Sequence, residues 1–171
     1  MLRTAFTELV GCSVPIQQAG MGGVTTVALA AAVADAGGLG MLAMPSGEDL
    51  AALKAATPGA FGVNFLMPFL DRDAVAGAAE SARVVEFFYA PPDPSLVETV
   101  LAGGALAAWQ VGSADEARQA VDAGCDFVVA QGVEAGGHVR GTTGLLPLLD
   151  AVLDAVDVPV VAAGGIGTAR A

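Results

Sequence analysis

The stretch Asp126-Phe127-Val128-Val129-Ala130-Gln131-Gly132-Val133-Glu134-Ala135-Gly136-Gly137-His138-Val139-Arg140-Gly141 runs from a short apolar segment into a loop of glycines and polar side chains. The apolar half reads as a strand. The glycines let the main chain approach a ligand more closely than any side chain would permit. The loop presents an amide at Gln131, a carboxylate at Glu134 and an imidazole at His138, the only histidine in the chain. A strand that ends in such a loop is a natural lip for a reactive site.

Outward from this stretch the same unit recurs: an apolar run, a turn, an Ala-rich helical segment, a glycine, and the next run. Pro15 to Ala19 is the first run, followed by Gly20-Met21-Gly22-Gly23. Thr25 or Thr26 then caps a helix through Val27, Leu29, Ala30, Val33 and Ala34 that ends at Gly37-Gly38. Strands are expected at Leu39 to Ala43, Phe61 to Leu66, Val84 to Tyr89, Leu106 to Val111, Asp126 to Ala130 and Val158 to Ala163. Helices are expected at Gly47 to Ala56, Asp71 to Ala82, Ser95 to Leu101, and Gly144 to Val156. Ser113 and Glu116 have the spacing of a capping box, which opens a further helix that stops at Gly124.

Alternating strands and helices imply parallel pairing through right-handed crossovers, so the class is α/β. An open doubly wound sheet and a (β/α)8 barrel of TIM type both satisfy that pattern. The runs are short and evenly spaced, and polar or glycine-rich loops follow the C-terminal ends of the first, third, sixth and seventh. This distribution favours the barrel, whose active sites lie on that face. About seven of eight strands are expected in one barrel domain over residues 1–171, with the C-terminal part of the barrel missing. Unpaired strand edges would then favour homo-oligomer formation.

Eighteen acidic residues against seven basic ones give a net charge of -11, which disfavours sequence-independent attraction to nucleic acid or to an anionic membrane. The longest apolar region, Val24 to Met44, is interrupted by Asp35 and Gly37-Gly38, so no membrane span is expected. No signal-peptide pattern opens the chain, and a cytoplasmic location is expected. Cys12 and Cys125 lack metal-type spacing and read as reduced, structural thiols; no metal site is expected.

Several segments taken together resemble the nitronate monooxygenase family, formerly called 2-nitropropane dioxygenases. They are Gln18-Ala19-Gly20-Met21, Ala36-Gly37-Gly38-Leu39-Gly40, Phe61-Gly62-Val63-Asn64, the Gln131 to Gly141 loop, and Pro159-Val160-Val161-Ala162-Ala163-Gly164-Gly165-Ile166. The resemblance implies an FMN-dependent (β/α)8 barrel. It implies FMN contacts from Ala19, Gly20 and Met21, from Asn64, from Gln131 and Gly136, and from Gly164 and Gly165 at the phosphate, with His138 as catalytic base. Gly164 and Gly165 agree in kind, because a strand end that leads into a helix start offers backbone N–H groups and a favourable dipole to a phosphate. Two departures are visible. The second phosphate-binding glycine segment of the family is not in this sequence, and Gly-Gly-His-Val-Arg-Gly carries one residue more than Gly-Gly-His-Arg-Gly, which is expected to move Arg140 without moving His138.

On the residues alone, plainer readings stand beside these. Asn64 can satisfy buried backbone groups, Gly164-Gly165 can be a tight turn, Met21 and Met67 can be core residues, and Glu134 can be structural or a solvated loop charge. Arg140 and Trp109 receive no role. The implied reaction is oxidation of an alkyl nitronate, or of a nitroalkane after deprotonation, by FMN and molecular oxygen to a carbonyl compound and nitrite. The substrate partners are thus a small nitronate or nitroalkane and O2. An FMN-dependent enoyl-ACP reductase, which shares the barrel and a similar Gly-Gly-His loop, and a non-catalytic barrel fragment are the alternatives.

Overall fold

Six parallel strands, β1 (Gly40–Ala43), β2 (Phe61–Leu66), β3 (Val84–Phe88), β4 (Leu106–Val111), β5 (Phe127–Gln131) and β6 (Val160–Ala163), lie side by side in chain order in a computed structural model that describes residues 3–170. Helices α2 (Val27–Asp35), α3 (Gly47–Ala56), α4 (Arg72–Ala79), α5 (Pro94–Ala102), α6 (Ala114–Asp122) and α7 (Leu145–Leu153) alternate with them, and α1 (Ala5–Val10) precedes the set. Sequential parallel order with a helix between neighbours is the curled sheet of a (β/α)8 barrel. The boundaries of α3, β2 and β4 coincide with those expected from sequence.

The expected strand over Pro15 to Ala19 is instead a single parallel bridge, Gln17 to Leu39, so six strands rather than seven form among the described residues. Leu39 N–H donates to the Ile16 carbonyl at 2.9 Å and Gln18 N–H to the Leu39 carbonyl at 3.0 Å. Pairing does not extend backwards because Ile16 N–H turns to the Val14 carbonyl at 2.8 Å, and the Gly37 carbonyl is taken by Ser13 and Val14 N–H. Forwards, the chain turns away at Gly20.

Two apolar layers explain why the sheet holds this register. Side chains at alternate positions, Val63, Phe65, Val85, Phe87, Ala107, Trp109, Val128 and Ala130, pack outward against the helices. Phe87 sits between Phe65 and Trp109, with ring centroids 6.2 and 4.9 Å away. Trp109 is fully buried, and its indole N–H donates to the Ala90 carbonyl at 3.0 Å, which gives this residue a clear structural role.

The inner layer holds Leu39, Met41, Val84, Ala108, Phe127 and Val129, closed from the N-terminal side of the sheet by Phe6 and Val10 of α1. Phe6 meets Phe127 edge to face at 5.5 Å. Arg83, just ahead of β3, ties α1 down by donating to the Val10 and Leu9 carbonyls at 2.9 and 2.5 Å. The helix itself is set by a capping box of Thr4 and Thr7. Farther along the same inner positions the side chains become polar, with Asn64, Glu86 and Gln131 all buried. Buried polar groups at the C-terminal side of an otherwise apolar interior mark the end at which a ligand is expected.

Candidate functional site

Asn64 on β2 and Glu86 on β3 are register partners, and the Asn64 amide donates Nδ2–H to Glu86 Oε1 at 2.7 Å. The Gln17 amide donates to the other carboxylate oxygen at 2.5 Å. A carboxylate can only accept, so both amides must turn their NH2 groups toward it. Glu86 is 2% exposed, and burial pushes its carboxyl up to about 7 while the two amide hydrogen bonds act in the opposite direction. Sequence reasoning passed over this residue because Val84 to Tyr89 reads as a strand. The available signal was an acidic residue at an inward position of a run buried on both faces, where a charge demands a reason.

Gly20 lies against Asn64. A Cβ at Gly20 would stand 2.5 Å from Asn64 Cβ and 3.4 Å from Asn64 Oδ1, so only glycine permits this approach. Thr25 holds the loop, accepting Met21 N–H at 3.0 Å and the Gln18 amide at 3.3 Å, while Thr26 caps α2 through Leu29 N–H. Ala19 and Met21 are exposed on the same loop, so Met21 is not a core residue, whereas half-buried Met67 packs on the sheet–helix core.

On the other side of the mouth Gln131 ends β5, buried, and donates its amide to the His138 carbonyl at 3.0 Å. The loop between them therefore closes on its own first residue. His138 is exposed, and its ring meets Tyr89 edge to face, with centroids 5.2 Å apart. Tyr89 follows β3 and has φ +77, a left-handed conformation that costs a non-glycine residue energy. Gly164 and Gly165 follow β6 with φ +125 and +69. A Cβ on Gly164 would come within 3.3 Å of Ala135 N and the Gly132 carbonyl oxygen, so the two loops pack main chain to main chain. Residues 164–170 form bends and a turn, so the helix start expected after Gly165 does not occur among the described residues. Gly136 is exposed, with open space where a Cβ would stand.

The remaining loop charges are structural. Both oxygens of Glu134 accept Leu145 N–H, at 3.1 and 2.9 Å, and so supply the cap that Gly144 lacks at the start of α7. Arg140 pairs with Glu116 at 2.5 Å, and the other Glu116 oxygen accepts Gly112 N–H at 2.8 Å. The expected capping box is therefore only half made. Ser113 accepts Glu116 N–H, but the Glu116 carboxylate reaches one residue farther back and is shared with Arg140. Cys125 is buried, its thiol pushed up to about 12 chiefly by burial, and partial burial also raises the Cys12 thiol; both cysteines are free.

Asn64, Gly20, Gln131, His138, Gly164 and Gly165 thus all lie at the C-terminal strand ends, in two groups on either side of β3. Three buried amide oxygens there, on Gln17, Gln18 and Gln131, have no hydrogen-bond partner. Clefts of about 420 and 380 Å3 lie elsewhere, between α4 and α5 and between α3 and α4, and include none of these residues.

A parallel barrel sheet with its buried amides, glycine loops and lone histidine gathered at the C-terminal strand ends defines a (β/α) barrel enzyme scaffold. The family model described as nitronate monooxygenase matches residues 3–78 and 70–171, and the chain belongs to this oxidoreductase family. It is 40% identical over 177 residues to the (3aS,4S,5R,7aS)-5-hydroxy-7a-methyl-1-oxo-octahydro-1H-indene-4-carboxyl-CoA dehydrogenase of Rhodococcus jostii (strain RHA1), a match covering 99% of this chain and 50% of the relative. Among solved structures, FabK from Thermotoga maritima superposes with a TM-score of 0.91 at 33% identity, covering 99% of this chain and 57% of that one. The nitroalkane oxidase of Streptomyces ansochromogenes gives 0.82 at 34%, covering 95% and 61%. The chain therefore spans about half the length of the curated relative.

Proposed function

We propose that this chain is the flavin-holding part of an FMN-dependent oxidoreductase that oxidises a carbon acid, with an alkyl nitronate or its parent nitroalkane as substrate. The observation that carries the reading is the convergence of the His138 loop, the Asn64–Gly20 contact and Gly164 at one end of the sheet in a member of the nitronate monooxygenase family.

The residues fit such a cofactor. The orphaned oxygens of Gln131, Gln18 and Gln17 are acceptors in want of a donor. Gly20 leaves the space beside Asn64 that a side chain would fill. Asn64, Gln131 and the Gly20 main chain would hold the ring, and Gly164 and Gly165 the phosphate; Ala19, Met21 and Gly136 would contribute from the exposed parts of their loops. The chemistry that a bound FMN would supply is electron transfer from substrate to oxygen. His138 takes the proton from the carbon beside the nitro group, a task suited to an imidazole at neutral pH. Gln131 fixes the main chain of His138, and Tyr89 flanks its ring.

A substrate that arrives already as the nitronate needs no base. His138→Ala is therefore expected to lose about a hundredfold or more in oxygen uptake with a nitroalkane and far less with propionate 3-nitronate. Equal losses on both reject the base assignment, and a purified chain that is colourless and takes up no added FMN rejects the flavin reading in favour of a non-catalytic part. A second reading is favoured by the 40% identity to a CoA-thioester dehydrogenase. A carbon next to a thioester carbonyl is also a carbon acid, so the same base would serve. Reduction of an added electron acceptor by a saturated acyl-CoA thioester, without oxygen uptake on nitronate, would select it.

A further inference from the structure

Among the described residues Glu86 is the one buried acid on the inner face of the sheet, and no catalytic step above uses it. Its neighbours are specific. β2 presents Asn64, β4 presents its register partner Ala108, the segment ahead of β1 presents Gln17, and α1 closes the same interior with Phe6 and Val10. None of these is charged, and among the described residues no cation pairs with Glu86. The nearest titratable groups along the chain, Arg83 and Tyr89, are engaged elsewhere, with α1 carbonyls and with the His138 ring.

The consequence lies in the direction of one amide. With Asn64 Nδ2–H donated to Glu86, Oδ1 is left on the side of the Gly20 loop. An ionised Glu86 enforces that arrangement, because it has no proton to offer Oδ1. A protonated Glu86 does have one, and so permits the amide to turn and present NH2 to the mouth instead.

We propose that Glu86 is a positioning residue for the bound flavin: through Asn64 it decides whether the site offers the ring a hydrogen-bond acceptor or a donor. This rests on the flavin reading given above. The pyrimidine edge of oxidised FMN carries one N–H, and Asn64 Oδ1 is the partner for it. Ionised Glu86 therefore favours binding of the ring. The burial that raises the Glu86 carboxyl places the change within the neutral range.

The test measures the Kd of FMN, and the position of its visible absorption bands, from about pH 6 to about pH 8 in the wild type, in Glu86→Gln and in Asn64→Ala. Affinity of the wild type is expected to rise about tenfold with pH, with a parallel band shift, since one mismatched hydrogen bond is worth that much. Glu86→Gln, which offers both a donor and an acceptor at every pH, is expected to flatten both profiles. Asn64→Ala keeps the acid and removes the amide, so it flattens them too, and it serves if Glu86→Gln does not fold. FMN uptake with the same pH profile in the wild type and in the foldable variants overturns the role of Glu86 and leaves the flavin reading intact. A wild type that binds no FMN at any pH overturns both.

Discussion

Tyr89 and His138 meet edge to face at the mouth of the sheet, their ring planes inclined at 73°. Tyr89 makes that contact from a backbone with φ +77, where glycine would be at ease. Strain at a strand end persists only when the surroundings over-determine it, and sites of function are where it gathers. Tyr89→Gly is therefore expected to relieve about 1 kcal/mol of backbone strain, offset by the lost aromatic contact, so that Tm moves little. Activity on a nitroalkane should nevertheless fall about tenfold as the imidazole loses its neighbour. Tyr89→Phe should keep both. Thermal melts alongside oxygen uptake decide the matter, and a Tyr89→Gly variant of full activity would show that the ring contact is incidental.

Burial makes Glu86 a debit in stability whose sign is fixed by linkage. Its carboxyl is raised from 4.5 to about 7, so between these values the folded chain holds a proton that the unfolded chain has released. Stability from this group is thus intact below the lower value, declines as pH rises through the window, and stays reduced above it by about 3 kcal/mol. Glu86→Gln removes that slope. Urea midpoints of the wild type and the variant should converge toward about pH 5 and separate by about pH 8, with the variant the more stable there. A constant difference between them across the range would mean that Glu86 does not titrate in this window.

Arg140 fastens the far end of the reactive loop. Its guanidinium lies on Glu116, the two side chains being 31% and 18% exposed, and Gly141 packs its main chain on Gly112, where a Cβ would meet it at 2.7 Å. Arg140→Ala should cost at most about 1 kcal/mol, because Glu116 still accepts Gly112 N–H. The local effect is expected to be larger than the global one. Amide exchange within residues 132–143 should accelerate about tenfold while β4 and β5 remain protected. Uniform change throughout the sheet would argue against a local clasp.

These particulars show which parts of the molecule could be read from residues in order. Gly47 to Ala56, Phe61 to Leu66 and Leu106 to Val111 were legible because apolar period and end signals agree there. Pro15 to Ala19 misled because an apolar run does not reveal that Ile16 N–H is taken locally by the Val14 carbonyl and so is lost to a ladder. Helix α1 is too short for its Phe6, Leu9 and Val10 spacing to stand out, and only the tertiary contact with Phe127 gives it a purpose. In the site, the glycines and His138 could be found because loops after strands draw attention. Glu86 was legible only as an acid out of place in a buried run, a signal the strand pattern masked, and Tyr89 owes its importance to a backbone angle that no residue pattern shows.

Two glycines from the same set of implied cofactor contacts lead to opposite expectations. A Cβ on Gly20 would stand 2.5 Å from Asn64 Cβ, whereas nothing lies within 4 Å of one on Gly136. Gly20→Ala must displace Asn64 or its own loop, and is expected to cost about 1–3 kcal/mol and to weaken FMN binding by about tenfold or more. Gly136→Ala should leave the melting temperature unchanged, since exposed substitutions away from contacts stay within about 0.5 kcal/mol. Any loss of FMN affinity in this second variant then reports the ligand itself, because the protein presents no other atom for the methyl to strike. Titration of both variants with FMN separates the cases. If Gly136→Ala binds as the wild type does, the Gly136 contact is removed from the site, and the flavin would be held by the Asn64 and Gly164 sides alone.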